Sequence, residues 1–256
     1  MKDFIIKRIK ALGYALTGFT AVIIIWELFS RGYNPLIMPS PLDTLRAFKE
    51  LYISGELISN LLITVRRTLV GYSLAGLAGF IFALILNKLN KLRKILRPLI
   101  TVIQTMPPII WLALAVIWFG VAEELTPVFL IFIVTFPIIF VNVFEGLQNI
   151  EDELIEMAEA YSATRWQILF DIYIPSIIPS IVSAVSVGLA FAWKSSVFAE
   201  FLGSSSGVGY ALSVANNNLE TPKLFAWGIV LVGLMLIVEY SIIKPFYKKV
   251  TGWREN

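Results

Sequence analysis

Residues 125–144 read LTPVFLIFIVTFPIIFVNVF, a run of twenty residues without a charge. A helix of that length is about 30 Å long, the thickness of a bilayer's hydrocarbon core. Similar runs lie on either side, at about 68–87, 99–121 and 173–198, the last admitting Lys194. Two more, 11–30 and 224–243, hold one interior acid each, Glu27 and Glu239, placed near a segment end where a charge costs less. These six runs predict an all-α polytopic membrane protein with six transmembrane helices in one domain spanning 1–256. Composition agrees: 57% of residues are hydrophobic, 15% are charged, and the mean hydropathy is +0.78. Soluble domains run about 45–50% apolar and about 25% charged, so a soluble single-core protein is excluded. The chain has no Cys and no His, which removes disulfides, thiolate nucleophiles and the commonest metal ligands. No metal site is expected. The basic residues cluster beside apolar runs and form no continuous stripe, so nucleic acid is not an expected partner.

Lys2, Lys7, Arg8 and Lys10 precede the first run, but Phe29-Ser30-Arg31-Gly32 follows it in place of a small-residue cleavage pattern. That reads as an uncleaved anchor. Lys and Arg gather at the amino end, at Lys88, Lys91, Arg93, Lys94 and Arg97, and in the tail at Lys244, Lys248, Lys249 and Arg254. The connection at Glu123-Glu124 has none. This bias predicts that both termini are cytoplasmic. The segment from Arg31 to Arg67 carries five basic residues although it falls outside; it is long, and acids dilute it. The loop 145–172 falls inside, yet holds seven acids and one base, Arg165, so it has a purpose other than topology.

Local signals place the motifs. Ser40-Pro41-Leu42-Asp43 reads as a helix start, with Ser40 as the cap, Pro41 in the first position and Asp43 answering back. Leu42, Leu45, Phe48 and Tyr52 recur at helical spacing, which fits an amphipathic helix on the outer surface or an ordinary solvated loop helix. Gly71, Ala75 and Gly79 form a small-residue stripe that lets two helix backbones approach closely. The fifth run is rich in small residues, Ser180, Ser183, Ala184, Ser186 and Gly188 among them, and is either tightly packed or lines a solute path. Pro107-Pro108 must break the hydrogen-bond ladder of the third run. In the acidic loop Asn149 can cap a helix, with Glu151, Asp152 and Glu153 in its first turn. Leu154, Met157, Ala158 and Tyr161 share one face; Ser162 interrupts, and Arg165 to Phe170 starts a second helix toward Pro175. Such a helix–turn–helix docks on another protein or packs on its own membrane domain.

The loop resembles that of the permease subunits of ABC importers, and within them the nitrate/sulfonate/taurine type. Their pattern is E-A-A, three residues, G, nine residues, then I-x-L-P. Here Glu156-Met157-Ala158 is followed at the same spacing by Ser162 and by Ile172-Tyr173-Ile174-Pro175. Met157 stands for an Ala, Ser162 for the Gly and Ile174 for the Leu. Further similarities run along the chain from about Pro39: Met38-Pro39-Ser40-Pro41, Arg67-Thr68-Leu69-Val70-Gly71-Tyr72, Pro107-Pro108 with Trp111, Trp118-Phe119-Gly120, and Ala199 to Tyr210. The resemblance implies the type I importer permease fold, with 145–172 as a cytoplasmic coupling element. It implies contacts to an ATPase through Glu156, Ala158, Ser162, Ala163 and Arg165. It also implies a second permease copy and an extracytoplasmic solute-binding protein; the Gly71 stripe suits such a dimer. The chain has no G-x-x-x-x-G-K-[ST], so it is not expected to be an enzyme; ATP would be bound by the separate ATPase, and no cofactor by this chain.

Lys194 is the one cation inside a long apolar run and is a candidate for the solute path, or it snorkels outward. Glu200 lines the path, or opens the outer loop by pairing across a dimer or with Arg67. Ser183, Ser186, Pro107 and Pro108 complete the path candidates. The implied solute is a small organic anion such as a sulfonate, taurine or nitrate, with a heterocyclic vitamin precursor as the alternative. An intramembrane enzyme lacks candidate residues, and an ion-driven secondary transporter would carry ionisable relays inside its spans.

Overall fold

Helix follows helix along the chain, and no strand occurs among the described residues. The computed structural model describes residues 2–121, 124–245 and 248, without side-chain detail at 2–12, 15, 16 and 242. Glu123 of the uncharged-by-base connection, and Lys249 and Arg254 of the basic tail, lie outside the described residues, as do the side chains of Lys2, Lys7, Arg8 and Lys10. The helices are α1 (Lys2–Gly32), α2 (Pro41–Ile53), α3 (Glu56–Lys88), α4 (Asn90–Thr105), α5 (Pro108–Phe119) and α6 (Leu125–Gln148). They continue with α7 (Asp152–Ala160), α8 (Arg165–Gln167), α9 (Ile174–Gly203), α10 (Val208–Asn217) and α11 (Thr221–Val238). π-helical stretches, Ile168–Tyr173 and Glu239–Ile243, lead into α9 and follow α11.

Among the described residues, four helical stretches are long and apolar enough to cross a membrane: Glu56–Lys88, Leu125–Gln148, Arg165–Gly203 and Thr221–Ser241. The first expected span, 11–30, lies within α1. The third differs from a straight crossing, since α4 and α5 meet at a bend of 96°. Pro107 and Pro108 carry no N–H for the carbonyls of Ile103 and Gln104, so the helix cannot continue. The Trp111 indole N–H takes over one of these orphans, donating to the Ile103 carbonyl at 3.3 Å.

The chain divides into two compact units, Met1–Ile58 with Leu212–Leu231 and Ser59–Ala211 with Val232–Asn256. In the first, Ser40 caps α2, its hydroxyl accepting from the Asp43 amide at 3.1 Å and donating to the Asp43 carboxylate at 2.7 Å. The reciprocal bond therefore uses the Ser40 hydroxyl. The buried face of α2 is Thr44, Ala47 and Leu51, while Leu42, Leu45 and Tyr52 are exposed. Leu51 is thus the one large apolar residue of this helix that faces inward, with Thr44 and Ala47, while Leu42, Leu45 and Tyr52 face outward. Trp26 of α1 donates to the Pro39 carbonyl at 2.9 Å and stacks on Phe225 of α11.

In the second unit α6 is the central helix. Its Phe132, Phe136, Phe140 and Phe144 stack at four-residue spacing, with centroids 5.5–6.3 Å apart. Ile139 is wedged between two glycines: a Cβ would lie within 3.0 Å of it on Gly79 of α3, and equally on Gly188 of α9. Gly71 meets Ile131 just as closely, and Ala75 is fully buried. The Gly71/Ala75/Gly79 stripe is therefore occupied inside the chain by α6 and gives no support to a dimer. Small residues of α9, including Ala184, Ala192 and Ala199, are likewise buried. Asn149 ends α6 instead of starting α7, its amide donating to the Glu145 carbonyl at 3.0 Å. The apolar pattern of α6 runs on to Leu147, so the helix ends where that pattern stops.

Replacing Trp111 with Phe keeps the ring and strands the Ile103 carbonyl. The expected loss is about 1–3 kcal/mol, the cost of a buried acceptor without its donor. Denaturation of the purified protein in detergent measures it, and a Trp111→Phe protein of unchanged stability would show that the indole does not hold the bend.

Candidate functional site

The loop between α6 and α9 folds as the expected helix–turn–helix. α7 begins with Glu151 at its N-cap, without a side-chain cap, and with Asp152 and Glu153 in the first turn, where carboxylates oppose the helix dipole. It ends in a Schellman turn: the Ala163 amide donates to the Ala158 carbonyl and the Ser162 amide to the Glu159 carbonyl, both at 2.9 Å. Ser162 consequently sits at φ +59°, the left-handed conformation usually given to glycine. Two main-chain hydrogen bonds hold it there against a steric cost of about 1–2 kcal/mol. Thr164 then caps α8 reciprocally, accepting from the Gln167 amide at 3.3 Å while the Gln167 side chain accepts from the Thr164 amide at 2.8 Å. Local bonds on both sides fix the elbow.

Of the face expected on α7, Leu154, Met157 and Tyr161 are exposed, whereas Ala158 turns partly inward with Ile155. Tyr161 is 83% exposed and Trp166 is 70% exposed, the latter stacked on exposed Phe170. Glu156, Ser162 and Arg165 are exposed and Ala163 is half-buried. Glu156 and Arg165 make no ion pair among the described residues. Behind the elbow lies a cavity of about 530 Å³, where Ile155, Glu159 and Arg165 face Leu84, Leu147 and Ile177.

A second groove, of about 460 Å³, opens at the α4–α5 bend. It brings together three of the path candidates, Pro107, Pro108 and Lys194, with Phe191, Ser195 and Phe198. Lys194 is exposed, its Nζ 5.8 Å from the Phe191 ring centroid. Phe191, Lys194 and Phe198 follow helical spacing, a signal the sequence carries but which is hidden among other apolar residues. Ser183 and Ser186 do not line this groove. Ser183 donates to Asn142 of α6 at 3.3 Å, and Ser186 bonds back to the Val182 carbonyl.

Glu200 lies elsewhere, completely buried at the end of the unit opposite the helix–turn–helix. One carboxylate oxygen accepts from Arg67 at 3.1 Å; the other accepts from the Thr64 hydroxyl at 2.7 Å and the Gly209 amide at 3.0 Å. It has no surface to offer a passing solute within this chain. Arg67, 1% exposed, also donates to the Ser206 carbonyl and hydroxyl and to Glu124 at 2.9 Å. Arg66 reaches the same Glu124 at 2.6 Å. The roles of Glu124 and Ser206 here were not foreseeable: they lie far apart in sequence and only the packing of the helices brings them to the Arg67 guanidinium, while Thr64, one turn from Arg67 in α3, bonds Glu200.

Comparison with known proteins agrees with this architecture. The family model for binding-protein-dependent transport system inner membrane components matches residues 75–249. An ABC transporter permease protein of Methanocaldococcus jannaschii is 31% identical, over 91% of this chain and 89% of its own. A Bacillus subtilis protein named for aliphatic sulfonates transport, SsuC, is 28% identical over 92% of this chain and 85% of its own. The taurine transport system permease protein TauC of Escherichia coli is 24% identical over 86% of this chain and 81% of its own. Among solved structures, a chain of the inward-facing MetNI methionine ABC transporter superposes with a TM-score of 0.58 at 19% identity, covering 75% of this chain and 96% of that one. The chain belongs to the family of ABC importer permeases, and it is a multi-pass membrane protein.

The charge cluster carries a pH dependence. Glu124 stands outside the spans, and its hydrogen bond from Arg67, joined by the charges of Arg67 and Arg66, holds its carboxyl below the usual range despite partial burial. A depressed folded-state pKa adds stability above the unfolded carboxyl's pKa of about 4.3, and that stability is lost as pH falls through the lower folded value. Acid denaturation followed in Glu124→Gln should show a shallower loss of stability below about pH 5 than the parent. Identical acid profiles would refute the contribution.

Proposed function

We propose that this permease, paired with a second copy of itself, forms the membrane path of an ATP-driven importer for small organic anions of the sulfonate type, taurine among them. The observation that carries the reading is the bonded elbow at Tyr161-Ser162-Ala163, which holds exposed Leu154, Met157, Trp166 and Phe170 around it. A contiguous apolar surface of this kind marks a protein interface. In this reading the elbow seats in a groove of a cytoplasmic ATPase, with Glu156 and Arg165 at its rim. Both termini are then cytoplasmic, and an external binding protein delivers solute at the opposite end. The chain has no phosphate-binding loop of its own, so nucleotide hydrolysis is assigned to the ATPase.

The solute class rests on the relatives named for sulfonates and taurine and on Lys194. At the α4–α5 bend the broken ladder and the ammonium share one groove, the pairing of irregular backbone and charge that transport sites use. Motion of the elbow would pass through the π-helical stretch Ile168–Tyr173 into α9, which carries Lys194. Rocking of two such permeases about the path gives alternating access.

Tyr161→Glu alters an exposed residue, so the fold should persist while ATPase binding weakens about thirtyfold, as for loss of an aromatic interface anchor. Pull-down of the ATPase reads this; undiminished association with coupled transport would defeat the docking role. Lys194→Ala should cut taurine-stimulated transport in reconstituted vesicles by about tenfold or more, the worth of a charged hydrogen bond, with assembly intact. Equal taurine transport would remove Lys194 from the path.

A further inference from the structure

Helix α4 has three distinct longitudinal faces. Leu92, Leu96 and Ile100 pack toward the core around α6. Ile95, Leu99 and Val102, at 64%, 55% and 56% exposure, form an uncovered apolar strip. Arg93, Lys94, Arg97 and Thr101 form the third face, adjoining that strip at Lys94 and Pro98 by the 100° helical step. This basic face lines a cleft of about 510 Å³ closed on one side by Gln148 at the end of α6.

The cleft is built by side chains held in place. Arg93 donates to the Gln148 side-chain oxygen at 3.0 Å, and Gln148 in turn donates to Asn87. Arg97, which also lines the cleft, lies over the Phe144 ring, 5.7 Å from its centroid. No acid pairs with Lys88, Lys91, Arg93, Lys94 or Arg97 among the described residues. Glu145, one turn before Gln148, makes no ion pair among the described residues either. Five cations without an ion-paired carboxylate among the described residues thus follow the end of the apolar stretch Glu56–Lys88, where a spanning helix would reach the headgroups.

We propose that this cleft is a binding site for the phosphate of an anionic phospholipid, held by Arg93, Lys94 and Arg97, with the acyl chains lying along Ile95, Leu99 and Val102. A free phosphate or nucleotide would satisfy the cations but leave the apolar strip without a role. A lipid satisfies both. The site is separate from the solute groove and does not depend on which solute is carried.

The test is lipid retention by the full-length permease, read by native mass spectrometry after delipidation from an equimolar mixture of phosphatidylglycerol and phosphatidylcholine. The wild-type protein should retain phosphatidylglycerol selectively. R93Q/R97Q should weaken that retention about thirtyfold, each cation counting for about a factor of five at an anionic surface. K88Q/K91Q removes equal charge outside the cleft and should change retention less than about threefold. Equal losses in the two variants would reduce the site to diffuse attraction and overturn it. Displacement of the lipid by millimolar glycerol phosphate would identify a soluble-anion site, and its release on adding the ATPase would identify a protein interface; either overturns the proposal. Should the double variant fail to fold, the wild-type comparison decides: no preference for phosphatidylglycerol over phosphatidylcholine refutes the lipid site.

Discussion

One buried guanidinium fixes the end of the bundle opposite the helix–turn–helix. Arg67 of α3 binds Glu200 of α9, Glu124 ahead of α6 and Ser206 of the following loop, with its side chain removed from solvent. Burying a charge costs several kcal/mol, and only a fully hydrogen-bonded partner set offsets it. Glu200 meets that condition through three donors, one of them the Gly209 amide. The loop has little freedom left: a Cβ on Gly207, at φ +98°, would collide with the Glu200 carboxylate, and one on Gly209 with the Val197 carbonyl. Glycine at 207 is thus a consequence of burying the acid, and glycine at 209 of the close approach to the α9 backbone.

The opposite end is organised differently. There the chain leaves α6 at Asn149, turns through a bonded elbow and re-enters α9 through a π-helical stretch. The elbow is locally rigid, yet behind it lies a cavity of about 530 Å³ instead of packed core. The clamp at Arg67 holds the other end, and Ile139, held between Gly79 and Gly188, ties α3, α6 and α9 together between the two.

Much of this is visible in the residues. Runs of twenty uncharged residues report spans directly, because hydrocarbon admits few alternatives to an apolar helix. Pro107-Pro108 announces a break, and the E-x-A spacing announces the elbow. Pairing is less visible. Gly71, Ala75 and Gly79 state that something approaches closely, but a small-residue stripe does not name its partner, which proved to be α6 of the same chain. The apolar spacing of Leu42, Leu45, Phe48 and Tyr52 gave the helix α2, but not that Thr44, Ala47 and Leu51 would be its buried side. By its place in the sequence Glu200 fits either a path residue or a partner of another chain or of Arg67; the structure has the Arg67 pair, and packing closes the acid off.

By itself the sequence determined the membrane solvent, the helical class, the broken third span and the position of the elbow, since each follows from local composition and short-range spacing. Tertiary structure alone decided that Trp111 satisfies the carbonyl freed by Pro107, and that Lys194 meets the proline break while Glu200 does not. Those outcomes depend on hydrogen bonds and contacts between residues that the chain separates and the packing of its helices brings together. No local pattern records which of several possible partners a buried donor or acceptor will find.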